Sequence, residues 1–397
     1  MKCRICESNN VNEVFNFGMQ PIAHNLLEKP HDKEYKHLFT VEYCFNCSFM
    51  QIANYIKPQK LYVNYFTISS WKPQPHANHL IKLIEKYYNL NSSTKIFEIG
   101  TNDGSFLDIL KNKGYENFSG IEPTVDSYKI VSMKHKNIIN DFYGFKKSIE
   151  ITDINDKPKI IISRQVIEHV PDLDDFMSGI KFQLNENGIL VLEFPDHSMN
   201  YENYDYTFWE EHVNYFTLGS IRNLLNKHGF SIVHHESTLF SGKCLFIIAE
   251  HSKKNKVDYK KQYYDNNILK YINNFTIFKS KLIDFFEKSI IYNNNNKIIM
   301  YGSGARSINF INLLNISDYF DYFVDDQFEK QQKIVPGCKL LIKNYIMNDF
   351  NKLIAMGVNA ENEFKIINKH NINNYFSILP PSINIPRFWK EMRDSNE

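Results

Sequence analysis

The sequence predicts an α/β protein in which two doubly wound sheets follow a small N-terminal lobe held together by cysteines. Three observations point there. Two Cys-x-x-Cys pairs stand in the first fifty residues. A short apolar run, a glycine-rich turn and a segment of helical spacing follow one another near residue 95, and the same arrangement returns near residue 297. Short buried strands alternating with helical segments are the pattern of an open, mostly parallel sheet.

A chain of 397 residues has room for two or three domains of about 150 residues each. Hydrophobic residues at 43% and charged residues at 23% give the balance of a globular protein. The formal net charge of +1 offers no electrostatic ground for nucleic acid or an anionic membrane as a partner. No apolar run approaches the ~18 residues that cross a bilayer. Met1-Lys2-Cys3-Arg4 lacks the apolar stretch of a secretion signal, so a cytoplasmic location is expected.

In a reducing compartment the spacing of cysteines matters more than their parity. Cys3 and Cys6 form one knuckle, Cys44 and Cys47 the other. Four thiolates from two tight turns close a tetrahedral zinc site with no open position, which makes the metal structural. A redox Cys-x-x-Cys would sit between a strand and a helix, and neither pair does. The long gap between the pairs must form a small lobe, taken as residues 1–74. Cys244 and Cys338 stand alone in apolar surroundings and read as core residues.

The most informative stretch covers residues 95–122. Lys95-Ile96-Phe97-Glu98-Ile99 reads as a buried parallel strand running into Gly100-Thr101-Asn102-Asp103-Gly104 and then a helix. A turn of this kind lets a ligand approach the backbone closely. A second strand ends at Glu122, an acid placed to accept the two hydroxyls of an adenosyl ribose. NAD and S-adenosylmethionine sites share that much. A pyrophosphate asks for GxGxxG, however, and here Asn102 takes the second glycine's place, with Glu98 inside the strand. An acid and a polar loop closed by Gly104 suit a cationic sulfonium and its amino-acid tail. S-adenosylmethionine is therefore the expected cofactor, contacted by Glu98, Gly100, Asn102, Asp103, Gly104 and Glu122, with Gln165 beyond the next strand near the methionyl end. Strands at 159–163 and 188–195, then 230–234 and 243–250, complete a sheet within residues 75–254.

A helical connector, residues 255–296, ends in an asparagine run. The last domain, residues 297–397, opens with a strand and Gly302-Ser303-Gly304-Ala305-Arg306-Ser307, and Asp325 ends its second strand. The bare pattern allows a second nucleotide site, perhaps for NAD, but Ser307 replaces the third glycine.

Taken in order, these pieces resemble the three-domain sugar C-methyltransferases of deoxysugar biosynthesis. The resemblance rests on the four cysteines, Gly18-Met19-Gln20-Pro21-Ile22-Ala23 between them, Glu98-Ile99-Gly100-Thr101-Asn102-Asp103-Gly104, and Glu211-His212-Val213-Asn214-Tyr215-Phe216. Tyr301-Gly302-Ser303-Gly304-Ala305, Val324-Asp325-Asp326 and Pro336-Gly337 extend it to the C-terminal part. It implies a zinc lobe, a class I methyltransferase Rossmann-like sheet, and a C-terminal Rossmann-like domain that anchors a nucleotide-linked sugar through Gly302, Gly304 and Arg306 without binding NAD. The chain departs from the family at two places. Trp209-Glu210-Glu211-His212 stands where Tyr-His-Glu-His is usual, and Thr67 follows Tyr65 where a second tyrosine is usual. Methylation at carbon and at oxygen both stay open.

Methyl transfer needs a positioned acceptor and removal of its proton. His212 is the candidate base, because an imidazole titrates near neutrality, with Glu211 orienting it and Trp209 and Tyr215 shaping a sugar pocket. His169, at the mouth of the cofactor crevice, competes for that role. His76 and His79 read as exposed helical residues, and His234 and His235 as residues at a strand end. A nucleic-acid methyltransferase is disfavoured by the neutral charge and the lack of a basic stripe, and an inert methyltransferase fold by the intact glycine loop and Glu122. Oligomeric state leaves no mark on the sequence.

Overall fold

The computed structural model describes residues 2–61, 74, 76–240, 242–252, 266–345 and 352–395. Tyr65 and Thr67 lie outside the described residues. In the lobe, β1 (Val11–Pro21), β2 (Lys36–Cys44) and β3 (Phe49–Ile52) form an antiparallel meander. One cysteine pair precedes it and the other occupies the β2–β3 turn.

The central domain opens with β4 (Ile96–Ile99), β5 (Phe118–Ile121), β6 (Ile138–Ile139), β7 (Ile160–Arg164) and β8 (Ile189–Pro195), all parallel. Every residue of β4 and β7 is buried, as expected where helices cover both faces of a sheet. Next, β9 (Asn214–Tyr215) leaves this sheet and pairs with β3 of the lobe. The hairpin β10 (Phe230–Leu239) and β11 (Lys243–His251) finishes the domain. The sheet order is β6-β5-β4-β7-β8-β11-β10, and β11 is antiparallel to both neighbours. Because β10 runs five residues past the expected 230–234, His234 and His235 sit in mid-strand, not at its end.

The C-terminal sheet is parallel throughout, ordered β14 (Ile342–Lys343), β13 (Phe320–Val324), β12 (Ile298–Tyr301), β15 (Ile354–Met356), β16 (Tyr375–Ser377). Both α/β domains thus carry the expected Rossmann-like arrangement. Helices Asn266–Asn273 and Phe275–Tyr292 precede it. The second does more than connect: Phe278 packs on Trp389 with ring centroids 4.7 Å apart, and Phe286 on Phe320 at 5.5 Å.

One hydrophobic core runs from Phe15 and Phe39 of the lobe through Tyr206, Phe208 and Tyr271 to Ile308, Phe376 and Trp389. A second joins Cys3, Cys44 and Phe49 to Ile161, Leu192, Phe216 and Ile221. The lobe therefore packs against both α/β domains, and the segment around 204–216 is the place where all three meet.

Candidate active site at the junction of three domains

Each cysteine knuckle closes in the same way. Glu7 and Ser48, the residues after Cys6 and Cys47, have φ of 58° and 56°. Their amides donate to the carbonyls of Cys3 and Cys44 at 3.0 and 2.9 Å. The result brings four sulfurs within 4.8 Å of one another, with Cys3–Cys47 at 3.5 Å and Cys6–Cys44 at 3.6 Å. Tetrahedral zinc with bonds of about 2.3 Å sets its sulfurs about 3.8 Å apart. The four thiols fit that ion, which would cross-link the start of the chain to the β2–β3 turn.

The glycine loop stands at the C-terminal edge of β4, the side on which open α/β sheets bind ligands. Gly100, Asn102 and Gly104 all adopt left-handed φ, at 78°, 49° and 81°. A Cβ on Gly100 would also come within 2.5 Å of the Val166 side chain. Glycine is thus required there on two counts. Glu122 directly follows β5 and accepts the Asn102 amide at 2.8 Å through one oxygen and the Thr124 amide and hydroxyl through the other. Glu98 is fully buried under the loop, and its Oε2 has no hydrogen-bond partner among the described residues. Burial pushes the Glu98 carboxyl up to about 8 and raises Glu122 as well. Asp103 accepts the Ser105 amide at the loop tip. Gln165, at φ 54°, lies across the crevice where β7 ends, its amide 3.4 Å from Cys244 Sγ. Two desolvated carboxyls beside a tight loop fit a sulfonium cation and a ribose better than a pyrophosphate.

The segment 209–212 is held from both sides. Glu210 accepts the Ala23 amide of the lobe at 2.6 Å and the Asn309 side-chain amide of the C-terminal domain at 2.9 Å. Glu211 does not turn toward His212, as the sequence suggested. Its Oε1 lies 3.0 Å from Nδ1 of His24, because the lobe covers that face of the segment. His212 instead packs against Trp209 and His169, with centroids 4.4 and 4.8 Å away. His169 Nδ1 lies 2.9 Å from the Glu211 carbonyl, which can only accept, so Nδ1 carries the proton. Glu168 is buried with neither carboxylate oxygen hydrogen-bonded among the described residues, and burial pushes its pKa up to about 8. Glu168, His169 and His212 bring one polar atom each within 4.8 Å of the others. Burial lowers His169, and burial together with His169, Arg306 and His197 holds His212 well below the ordinary histidine value.

Other expected site residues have definite places. The Trp209 indole N–H is buried beside His212 without a partner among the described residues, a donor facing the junction. Tyr215 corrects its expected role: its hydroxyl accepts the Trp209 amide at 2.7 Å and donates to the Trp209 carbonyl, so it shapes the loop and is not open to a sugar. Arg306 reaches across domains to Asp205 at 2.8 Å. Gly302 is a packing glycine, since a Cβ there would lie 2.8 Å from Val358 and 2.9 Å from the Gly357 carbonyl, whereas Gly304 faces open space. Asp325 accepts the Ser303 amide and hydroxyl at 2.9 and 2.7 Å, which ties this turn back to its own sheet. His76 also differs from expectation. It is half-buried and 2.9 Å from Glu193, which pairs with Arg164 at 2.9 Å. His79 is exposed, as expected, and pairs with Glu236. Sequence reasoning passed over His24, Glu168 and Asn309; the one available signal was that His24 directly follows the 18–23 motif.

With this geometry, the central domain is a class I methyltransferase fold, and family models agree part by part. Residues 3–62 match a zinc binding domain, 74–235 a methyltransferase domain, and 248–349 a C-methyltransferase C-terminal domain. In chain order the three matches follow the plan of a three-domain C-methyltransferase, to which the chain is similar. It is 24% identical over 253 residues to the C-methyltransferase NovU of Streptomyces niveus, across 62% of this chain and 60% of that relative's length. Among solved structures it is similar to the CcbJ methyltransferase from Streptomyces caelestis, at 12% identity and a TM-score of 0.37, over 47% of this chain and 95% of that one. It is also similar to magnesium protoporphyrin IX methyltransferase from Synechocystis PCC 6803 with bound SAH, at 14% identity and a TM-score of 0.34, over 45% of this chain and 84% of that one.

Proposed function

We propose that this chain is an S-adenosylmethionine-dependent methyltransferase whose acceptor is a nucleotide-linked sugar, held between the central and C-terminal domains. The observation that carries the reading is the junction at His169, His212 and Trp209, to which all three domains contribute and whose His169 lies three residues beyond Val166, the side chain set against Gly100 of the cofactor loop. S-adenosylmethionine would supply an electrophilic methyl group. The residues in line to hold it are Glu98, Gly100, Asn102, Asp103, Gly104, Glu122 and Gln165. His212 is the base, neutral at physiological pH because its surroundings lower its pKa. Trp209 N–H is a donor for a substrate oxygen, and Gly304 and Arg306 line the side from which the nucleotide would be held. Zinc at Cys3, Cys6, Cys44 and Cys47 fixes the lobe and takes no part in the chemistry. Among the described residues no helix is long and apolar enough to cross a membrane. The domain limits 1–74, 75–254, 255–296 and 297–397 are retained as working boundaries.

The test is incubation with methyl-¹³C-labelled cofactor and a panel of nucleotide sugars, with DNA and RNA as controls. A mass gain of one methylene on a sugar supports the reading, and the carbon shift of the label distinguishes C–CH₃ from O–CH₃. Transfer to nucleic acid alone would overturn it. For the cofactor, Glu122→Ala is expected to weaken binding by about 1.5–3 kcal/mol, the range for a hydrogen bond to a charged group. Titration calorimetry with unchanged affinity would put the ribose elsewhere.

A further inference from the structure

The lobe does more than carry a metal. His24 leaves it immediately after β1 and reaches the junction, where its two ring nitrogens meet two acceptors: Nδ1 lies 3.0 Å from the Glu211 carboxylate and Nε2 3.1 Å from the Leu61 carbonyl. The Leu61 carbonyl can only accept, so Nε2 carries a proton toward it, and the carboxylate 3.0 Å from Nδ1 favours a proton there through charge pairing. Burial by itself lowers its pKa, but the Glu211 and Glu210 carboxylates outweigh burial and raise it. Glu211, so held, offers its carbonyl to Nδ1 of His169 at 2.9 Å. That contact selects the Nδ1–H tautomer and leaves Nε2 of His169 as a proton acceptor, 3.9 Å from the Glu168 carboxyl. In water a free imidazole favours neither nitrogen strongly, so the tautomer is set by the partner the other nitrogen has.

We propose that His24 is a positioning residue of the methyl-transfer site, acting through Glu211 to fix the His169 tautomer and the place of the neighbouring His212. This rests on the function proposed above for its catalytic meaning, though the coupling from His24 to His169 stands without it. It gives the metal lobe a direct part in the chemistry: the lobe supplies the group that orders two histidines of another domain.

The experiment is long-range ¹H–¹⁵N spectroscopy of the full-length, zinc-loaded protein labelled at histidine. The wild type is expected to show His169 protonated at Nδ1, and His24 keeping its second proton to a higher pH than a free imidazole does. A wild-type spectrum with His169 protonated at Nε2 overturns the proposal before any variant is made. In His24→Ala the His169 signals are expected to shift to a mixture of tautomers, with zinc content and S-adenosylmethionine affinity retained. His24→Asn, whose amide puts a donor near the Nδ1 position, is expected to keep the wild-type tautomer. An unchanged His169 in a His24→Ala protein of normal zinc content also overturns it, and if alanine disturbs the lobe, the wild-type and asparagine spectra decide. Once an accepted sugar is known, His24→Ala is expected to lower kcat on the order of ten- to a hundredfold, as displaced groups do. The KM for the cofactor should hold steady, and His24→Asn should recover most of the loss. Since the spectra need no substrate, failure to find a methylated sugar would count against the function and leave the His24 result intact.

Discussion

His212→Ala is expected to reduce turnover by about 10²–10⁴-fold, the usual contribution of a positioned general base, while S-adenosylmethionine binds as before. The separation follows from the geometry. His212 packs on Trp209 and His169, whereas the cofactor residues lie on the 100–104 loop and at Glu122. The pH profile provides a sharper check. A base acts only when neutral, so the rate falls as pH drops through its pKa. Burial holds His212 well below 6.5, with the His169, Arg306 and His197 charges adding to the effect. The acid limb is therefore expected well under pH 6.5, with a flat profile above it until another group intervenes. Near-full turnover in His212→Ala would leave His169 as the base, or mean that none is required.

Removing the zinc is expected to have the largest effect of any single change on folding. Structural zinc binding in small domains is worth about 10–16 kcal/mol at neutral pH, most of it folding free energy. The lobe cannot lose that support quietly, because Cys3 and Cys44 share a core with Phe216 and Ile221, and Ala23 and His24 hold Glu210 and Glu211. Chelation, or Cys44→Ser, should thus abolish turnover as well as unfold the lobe. Elemental analysis should find one zinc per chain, and X-ray absorption should find four sulfur neighbours at about 2.3 Å. Metal-free protein with native circular dichroism and full activity would contradict this.

Much of the fold could be read from the sequence because its signals are local. The runs at 96–99, 160–164 and 189–195 are buried at all but one position and so stand out as mostly apolar stretches. Left-handed positions at Gly100 and Gly104 mark the loop between a strand and a helix. The two knuckles announce themselves by spacing. What escaped depends on distance along the chain. Glu210 meets Ala23 across 187 residues and Asn309 across 99. β9 is two residues long and joins a sheet begun more than 160 residues earlier, so periodicity has nothing to register. Glu211 read as the partner of its neighbour His212, but adjacent residues need not share a face, and the lobe offered His24 on the other side. His76 looked exposed because the carboxylate it meets, Glu193, belongs to a strand 117 residues on.

The hydrophobic interior that links Phe15, Tyr206, Tyr271 and Trp389 has a consequence for how such a chain could have been assembled. Three recognisable segments of sequence suggest beads that evolution could exchange one at a time. Here each α/β bead keeps one buried cluster of its own, but the largest interior is shared among all three. Trp389, near the far end, donates its indole N–H to the Asn203 carbonyl, and Tyr271 stacks on Tyr206 at 4.3 Å. A segment imported from a relative would arrive with half of somebody else's interface and expose aromatic surface to water. The three parts are therefore bound to change together, and heating should melt them as one cooperative body.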